Sequence, residues 1–220
     1  MTITEVLLPV LKGDPESLAS FTSHASQISS HLAGTPGLQF FAHGRILFEG
    51  GNPVAMDSGR TALLFEWDAS SSLHAFYPHS PAFQGFLGLM KPFLAQGDTP
   101  LIFEAVTSAR ETGSAAITQI IRVRQGPETE GTWGRLQEAL RRDGNTDTAG
   151  AKPVFARAVG VEGQEGMALA TIGWRSLEDY ERARNDGTTR GILGELGPGG
   201  EMVDLVVRLE RIQVEERAQD

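Results

Sequence analysis

Three side chains in the first half of the chain have the chemistry for proton transfer. His79 stands between Pro78 and Ser80-Pro81, where proline interrupts a helix. A helix break can aim a side chain into a cavity, and histidine titrates near neutrality, so His79 reads as either a general acid–base or a loop histidine in solvent. His43 lies mid-strand after Phe40 and Phe41; by alternation it shares a face with Phe41, Arg45 and Leu47. It is either a second candidate base or a structural hydrogen-bonding histidine. Tyr77 is the candidate hydrogen-bond donor beside them. Phe41, Phe65, Trp67, Phe76, Phe83 and Phe86 form an aromatic set, read as core or as walls for a flat apolar ligand, with His24 at the edge. Arg45 is costly on a dry face, so that face is either a wet pocket or the barrel interior, or else Arg45 pairs with Glu66 or Glu5.

Other chemistries find no support. His24 and His31 are seven residues apart on one helix, about 10 Å by helical rise, too far to share a metal. Glycine-rich phosphate loops, nucleophile elbows and zinc-protease motifs do not occur. Gly191-Ile192-Leu193-Gly194 and Gly197-Pro198-Gly199-Gly200 read as turns, and Arg182, Arg184 and Arg190 as a solvated helix face and loop. With no cysteine, thiolate catalysis and disulfides are out. A net charge of −9 and pI of about 5.1 argue against a nucleic-acid partner. No run is long enough to span a membrane and the N-terminus lacks a signal-peptide pattern, so a soluble cytoplasmic protein is expected.

These residues need elements to hold them. Residues 3–11, 38–48, 61–67 and 101–106 read as strands. A helix opens at Asp14-Pro15 and buries Leu18, Phe21, Ala25, Ile28 and Leu32. A second begins among 70–72, breaks at Pro78 and restarts at Ser80-Pro81. The order is β-α-β-β-α-β. After a polar linker at 107–114 it recurs, with strands at 117–123, 153–161, 168–174 and 202–212 and helices at 129–140 and 176–184. Phe41-Ala42-His43 lines up with Phe155-Ala156-Arg157, and 61–67 with 168–174, both ending in Trp. The 220 residues therefore read as two ferredoxin-like units, 1–107 and 115–220. Both faces of 61–67 are apolar, so the second unit should cover the open face of the first sheet.

All five histidines and ten of the 11 phenylalanines lie before residue 104. Residues 111–220 hold 14 of the 19 Lys+Arg and 19 of the 28 Asp+Glu. The net charge splits −4 and −5 and points to no partner. The first unit reads as the ligand-bearing copy, the second as a scaffold.

The repeated order, together with Trp67-Asp68-Ala69-Ser70, Trp174-Arg175-Ser176-Leu177-Glu178 and the segment 80–86, resembles the dimeric α+β barrel superfamily, in particular the antibiotic biosynthesis monooxygenase-like domains. The resemblance implies an α+β pseudo-dimeric barrel, as a monomer or a homodimer, with a ligand pocket between a sheet and its helices. It implies a cofactor-independent tailoring enzyme acting on a hydrophobic polyketide- or terpenoid-like molecule, by oxygenation or else by cyclisation, dehydration or isomerisation; the other class left open is a non-catalytic binding protein. The monooxygenases' Asn four residues before the strand-end Trp is Leu63 and Ala170 here, and their Tyr six after it is Leu73 and Tyr180. Haem-binding members use residues that this chain replaces with Phe76 and Phe86 or Leu87. Cyclases of the plant stress-barrel type have a Tyr that Tyr77 matches and a His replaced by Phe83. No cofactor is expected.

Overall fold

The fold is seen in a computed structural model. It describes residues 2–105, 108–126, 128–142, 154–158, 166–197 and 202–212, with only the backbone described at 29 and 154–157. In chain order the elements are β1 (Thr2–Leu7), β2 (Val10–Leu11), α1 (Pro15–Ser30), β3 (Leu38–Glu49), β4 (Asn52–Pro53), β5 (Thr61–Trp67), α2 (Ser70–Phe76), α3 (Pro81–Met90), β6 (Leu94–Gln96) and β7 (Leu101–Ala105). There follow α4 (Arg110–Gly113), β8 (Ile117–Arg124), α5 (Thr129–Arg142), β9 (Val154–Ala158), β10 (Met167–Trp174), α6 (Leu177–Asn185), α7 (Gly187–Leu196) and β11 (Val203–Ile212).

Each unit pairs its strands in ferredoxin-like order: β7-β1-β5-β3 in the first, β11-β8-β10-β9 in the second. The two sheets join along two antiparallel seams, β7 with β9 and β3 with β11, closing an eight-stranded barrel. Among the described strands, closure leaves no long sheet edge to attract another chain. Strand alternation then divides the side chains into an interior and two outer layers. Ala42, Ile46, Ala62, Leu64, Phe103, Ile120, Leu169, Leu205 and Val207 fill the interior from both units. The opposite faces meet the helices: Ile3, Phe41, Leu63, Phe65 and Trp67 in the first unit, Ile121, Ala170, Ile172 and Trp174 in the second. Every residue of β5 is buried, as its two apolar faces require.

The helices start where their caps dictate. Asp14 Oδ1 accepts from Ser17 N at 2.8 Å, Ser80 Oγ from Phe83 N at 3.0 Å, and Ser176 Oγ from Asp179 N at 3.2 Å. No helix among the described residues is long and apolar enough to cross a membrane.

Residues 3–11 are not one strand. Pro9 has no N–H to donate, the Leu8 N–H turns aside to Asp98 Oδ2 at 2.8 Å, and β2 pairs with β6 in a small separate sheet. The linker contains α4, whose Thr112 is buried; Thr112 Oγ1 meets Thr171 Oγ1 at 2.8 Å and its carbonyl accepts from Thr118 Oγ1. Just ahead of α4, buried Glu66 accepts from Ser108 Oγ and Ala109 N, anchoring the crossover to the barrel. Gly191–Gly194 is not a turn but part of α7, where burial of Ile192, Leu193 and Leu196 and a cap from Asp186 to Thr189 N outweigh the helix cost of glycine. The segment 198–200 lies outside the described residues. Arg184 is not simply solvated: its Nη1 donates to the Gly51 carbonyl at 2.7 Å, tying α6 to the first unit. Arg45 pairs with neither Glu66 nor Glu5; it turns to the Val54 carbonyl at 3.3 Å and to Met56 in the loop after β4.

The repeat register also moves. His43 faces Leu63 and Phe41 faces Phe65, whereas Phe155 faces Ala170 and Arg157 faces Ala168. Counting back from each strand-end Trp, Phe155 is the counterpart of His43 and Arg157 of Arg45. The match read from the sequence is displaced by two residues, a slip that keeps every face unchanged and so leaves the hydrophobic pattern intact.

Candidate active site

The cavity of interest, about 430 Å³, lies between the first unit's sheet and α3. Its volume falls in the range of small-molecule pockets, about 300–1,000 Å³. Glu5, Leu7, Leu63 and Phe65 form the floor. Phe76, Phe83, Phe86 and Met90 form the roof. Tyr77, Pro78 and His79 make one rim, and Asp98 stands at another. The wall is built by alternation: Ile3, Glu5 and Leu7 of β1 point toward the helices, and Glu5 pairs across to Phe65 on β5 and Ile102 on β7. One carboxyl is thereby set among carbon.

Glu5 is 4% exposed. The Trp67 indole Nε1 donates to its Oε2 at 2.9 Å, and no second donor reaches the carboxyl among the described residues. Burial pushes its pKa up from 4.5 to about 7; the Trp67 hydrogen bond pulls the other way without restoring it. Such a group exchanges protons at neutral pH, as a general base must. Trp67 is fully buried, its ring nearly parallel to Phe65 with centroids 6.4 Å apart and 5.1 Å from Phe76. Trp67→Phe deletes the N–H while keeping most of the ring. We expect the Glu5 midpoint to rise above 7 and the acid limb of a pH–rate profile to move to higher pH; an unmoved limb counts against coupling between the two groups.

Helix restart at Ser80-Pro81 builds the rim. Gln84 Nε2 donates to the Pro78 carbonyl at 2.7 Å and pins the connection between α2 and α3. The Tyr77–Pro78 peptide is cis. His79 is exposed at the mouth, and the Tyr77 ring meets Phe83 edge-on at 4.9 Å.

The cavity thus gathers His79, Tyr77, Phe65, Phe76, Phe83 and Phe86. It does not gather His43, His24, Phe41 or Trp67. His43 is half-buried away from its walls, 6.0 Å from Phe21 and 6.3 Å from Phe41. Burial lowers its pKa, against an opposing pull from the Glu210 carboxylate. His24 is exposed on α1, its Nδ1 2.8 Å from the Ser20 carbonyl. Phe41 stacks at 4.5 Å behind Phe65. Trp67 acts on the cavity through Glu5. Sequence reasoning missed Glu5 as a base; the available signal was a lone acid on the helix-facing side of an apolar strand.

The corresponding layer of the second unit is built differently. Gln119 takes the register position of Glu5, facing Ile172 two residues before Trp174. Its amide donates to buried Asp204 at 2.8 Å instead of meeting the indole. The Trp174 Nε1 and Tyr180 hydroxyl are buried with no hydrogen-bond partner among the described residues. Burial first, then the Asp204 charge, pushes the Tyr180 phenol up to about 12, and burial raises Asp204. A larger groove of about 760 Å³ runs between α5 and α7, but glycines and exposed charges line it. Arg135 pairs with Glu195, and Arg142 with Glu138, so it offers no buried reactive group. No cluster of three or more His, Asp or Glu suited to a metal occurs among the described residues.

No family model and no curated protein matches the chain in sequence. Solved structures do match in shape. An anthrone oxidase-like protein superposes with a TM-score of 0.66 at 14% identity, covering 100% of this chain and 96% of its own. A protein provisionally named a chlorite dismutase gives 0.60 at 12% identity, covering 95% and 94%. One provisionally named a monooxygenase, from Lactobacillus acidophilus NCFM, gives 0.57 at 9% identity, covering 96% and 93%. At these identities the likeness is one of fold. It agrees with the closed barrel described above and with the resemblance read from the sequence. The chain has the dimeric α+β barrel fold, with both halves of the barrel carried on one polypeptide.

Proposed function

We propose that this chain is a cofactor-independent monooxygenase acting on a hydrophobic, natural-product-like small molecule of the polyketide or terpenoid kind, with Glu5 as general base. The observation that carries the reading is Glu5 itself: a buried carboxyl with a pKa of about 7 on the wall of an aromatic cavity. The names of the structural neighbours, anthrone oxidase-like and monooxygenase, support the choice of oxygenation. Glu5 takes a proton from an activated C–H of the substrate. The carbanion transfers electrons to O₂, and the resulting peroxide is protonated to a hydroperoxide. Loss of the second C–H proton breaks the O–O bond, leaving a carbonyl and one water. The cavity's carbon walls keep water from the carbanion. Tyr77 and His79 at the rim hold the substrate's polar groups. Residues 1–107 carry the site and 115–220 complete the barrel as scaffold, so one chain works as its own dimer in the cytoplasm.

The test uses anthrone, a carbon acid whose oxidation gives anthraquinone and water, with an oxygen electrode and product analysis. The expected result is one O₂ consumed per quinone, loss of uptake in Glu5→Gln, and His43→Gln within about threefold of wild type, because His43 does not line the cavity. Uptake that survives in Glu5→Gln overturns the base assignment. Enzyme-dependent conversion of a related carbon acid without O₂ makes the protein a cyclase, dehydratase or isomerase on the same fold, and overturns the oxygenase reading. Tight binding of these molecules without conversion makes it a binding protein.

A further inference from the structure

We infer that the cavity above Glu5 selects its ligands by charge, taking a hydrophobic organic cation, such as an arylalkyl amine, and refusing the matching carboxylate. The inference rests on the reading that this cavity is the ligand site, and not on any reaction there.

The first support is the inventory of charge. Among the described residues the walls contain two carboxyl side chains, Glu5 at depth and Asp98 at the rim, and no lysine or arginine. The other titratable side chains lining the cavity are Tyr77 and His79, both from the connection between α2 and α3, and on β7 the exposed Glu104 lies diagonally across from Glu5 on the same face, adding a further negative charge. The face of β5 contributes Leu63, Phe65 and Trp67, and α3 has no titratable residue. A carboxylate entering this space meets like charge with no cation to offset it, in surroundings of low polarisability where repulsion is strong.

The second support is the unused bonding capacity of Glu5. A carboxylate has room for about four hydrogen bonds, and Trp67 supplies one. An ammonium group beside the other oxygen gains a charge-assisted contact. The third support is the rings. Phe65, Phe76, Phe83 and Phe86 border the same space as the carboxyl. Aromatic faces carry partial negative charge and attract cations, the principle of aromatic cages for quaternary ammonium groups. Carboxyl and rings favour the same sign of ligand.

The consequence is linked to protons. A bound cation favours the ionised carboxyl, so binding at pH 6, where Glu5 is largely protonated, should release most of one proton, and binding at pH 8.5 almost none.

The experiment is calorimetric titration of the full chain with benzylammonium and with phenylacetate at pH 8, repeated with the cation at pH 6 in two buffers of different ionisation heat. The cation is expected to bind at least about tenfold tighter than the anion, with the preference falling below about threefold in Glu5→Gln. Phenylacetate binding as tightly as the cation overturns the inference. So does a preference undiminished in Glu5→Gln, binding of the cation too weak to measure at millimolar concentration, or the absence of proton release at pH 6. Charge preference without O₂ uptake refutes the oxygenase and leaves this inference standing; O₂ uptake without charge preference does the reverse.

Discussion

Replacing Glu5 by Gln should cost activity and add stability at the same time. In the proposed role of general base, Glu5 would contribute a factor of about 10²–10⁴ to turnover, which Gln cannot supply. The stability effect follows from its titration. The folded pKa of about 7 lies above the unfolded value of 4.5, so the fold prefers the protonated acid. The group's contribution is complete below about pH 4.5 and is lost as pH rises through 7. A shift of this size corresponds to about 3 kcal/mol, withdrawn from the fold at pH 8. Gln is never ionised and its amide oxygen can still accept from Trp67 Nε1. Glu5→Gln should therefore match wild type in chemical denaturation near pH 4 and exceed it by about 2–3 kcal/mol at pH 8. A variant equally stable at both pH values, relative to wild type, contradicts the burial of an ionisable group. Most buried polar substitutions destabilise, so the sign is diagnostic.

The second large effect is expected at the seam between the units. Gly44 of β3 lies opposite Leu209 of β11, and a Cβ placed there would fall 1.9 Å from the Arg208 carbonyl oxygen and 2.6 Å from its carbon. Those are backbone atoms that cannot swing away. Gly44→Ala must push β11 off β3, against the hydrogen bonds that close the barrel, and should cost about 3 kcal/mol or more. For a chain of this size that lowers Tm by about 6–12 °C. The control is Gly88→Ala in α3, where an added Cβ meets nothing within 4 Å and helix propensity alone predicts a small gain. Equal, small effects at both positions would mean that the β3–β11 seam is looser than described. The seam bears on the site because β3 also carries Phe41, which stacks behind the cavity wall at Phe65.

The sequence held the fold more openly than the site. Caps are local chemistry, so Asp14-Pro15, Ser80-Pro81 and Ser176 marked helix starts that the structure keeps. Apolar residues on both faces of 61–67 announced a strand buried on both faces, which implied the second unit as cover. Long-range register was not legible: a slip of two residues between the copies preserves every face, so Phe155 passed for the partner of Phe41 when its strand position is that of His43. Tertiary packing likewise overruled local glycine content in α7. At the site, histidine drew notice because its ordinary pKa is near 7, yet His43 lies away from the cavity and His79 is exposed at its mouth. The group tuned to neutrality is a carboxyl whose ordinary pKa is 4.5 and whose value depends on burial by α3, a contact invisible along the chain. The same contact distinguishes the two copies: Glu5 faces a cavity, whereas Gln119 is engaged by Asp204.

Carbon-13 NMR of the chain labelled at the glutamate side-chain carboxyl measures directly whether Glu5 titrates near neutrality. One resonance should titrate with a midpoint near pH 7, disappear from the spectrum of Glu5→Gln, and move to higher pH in Trp67→Phe. If every glutamate carboxyl titrates below about pH 5.5, or the late-titrating one survives in Glu5→Gln, the base is not Glu5 and the proposed chemistry falls with it.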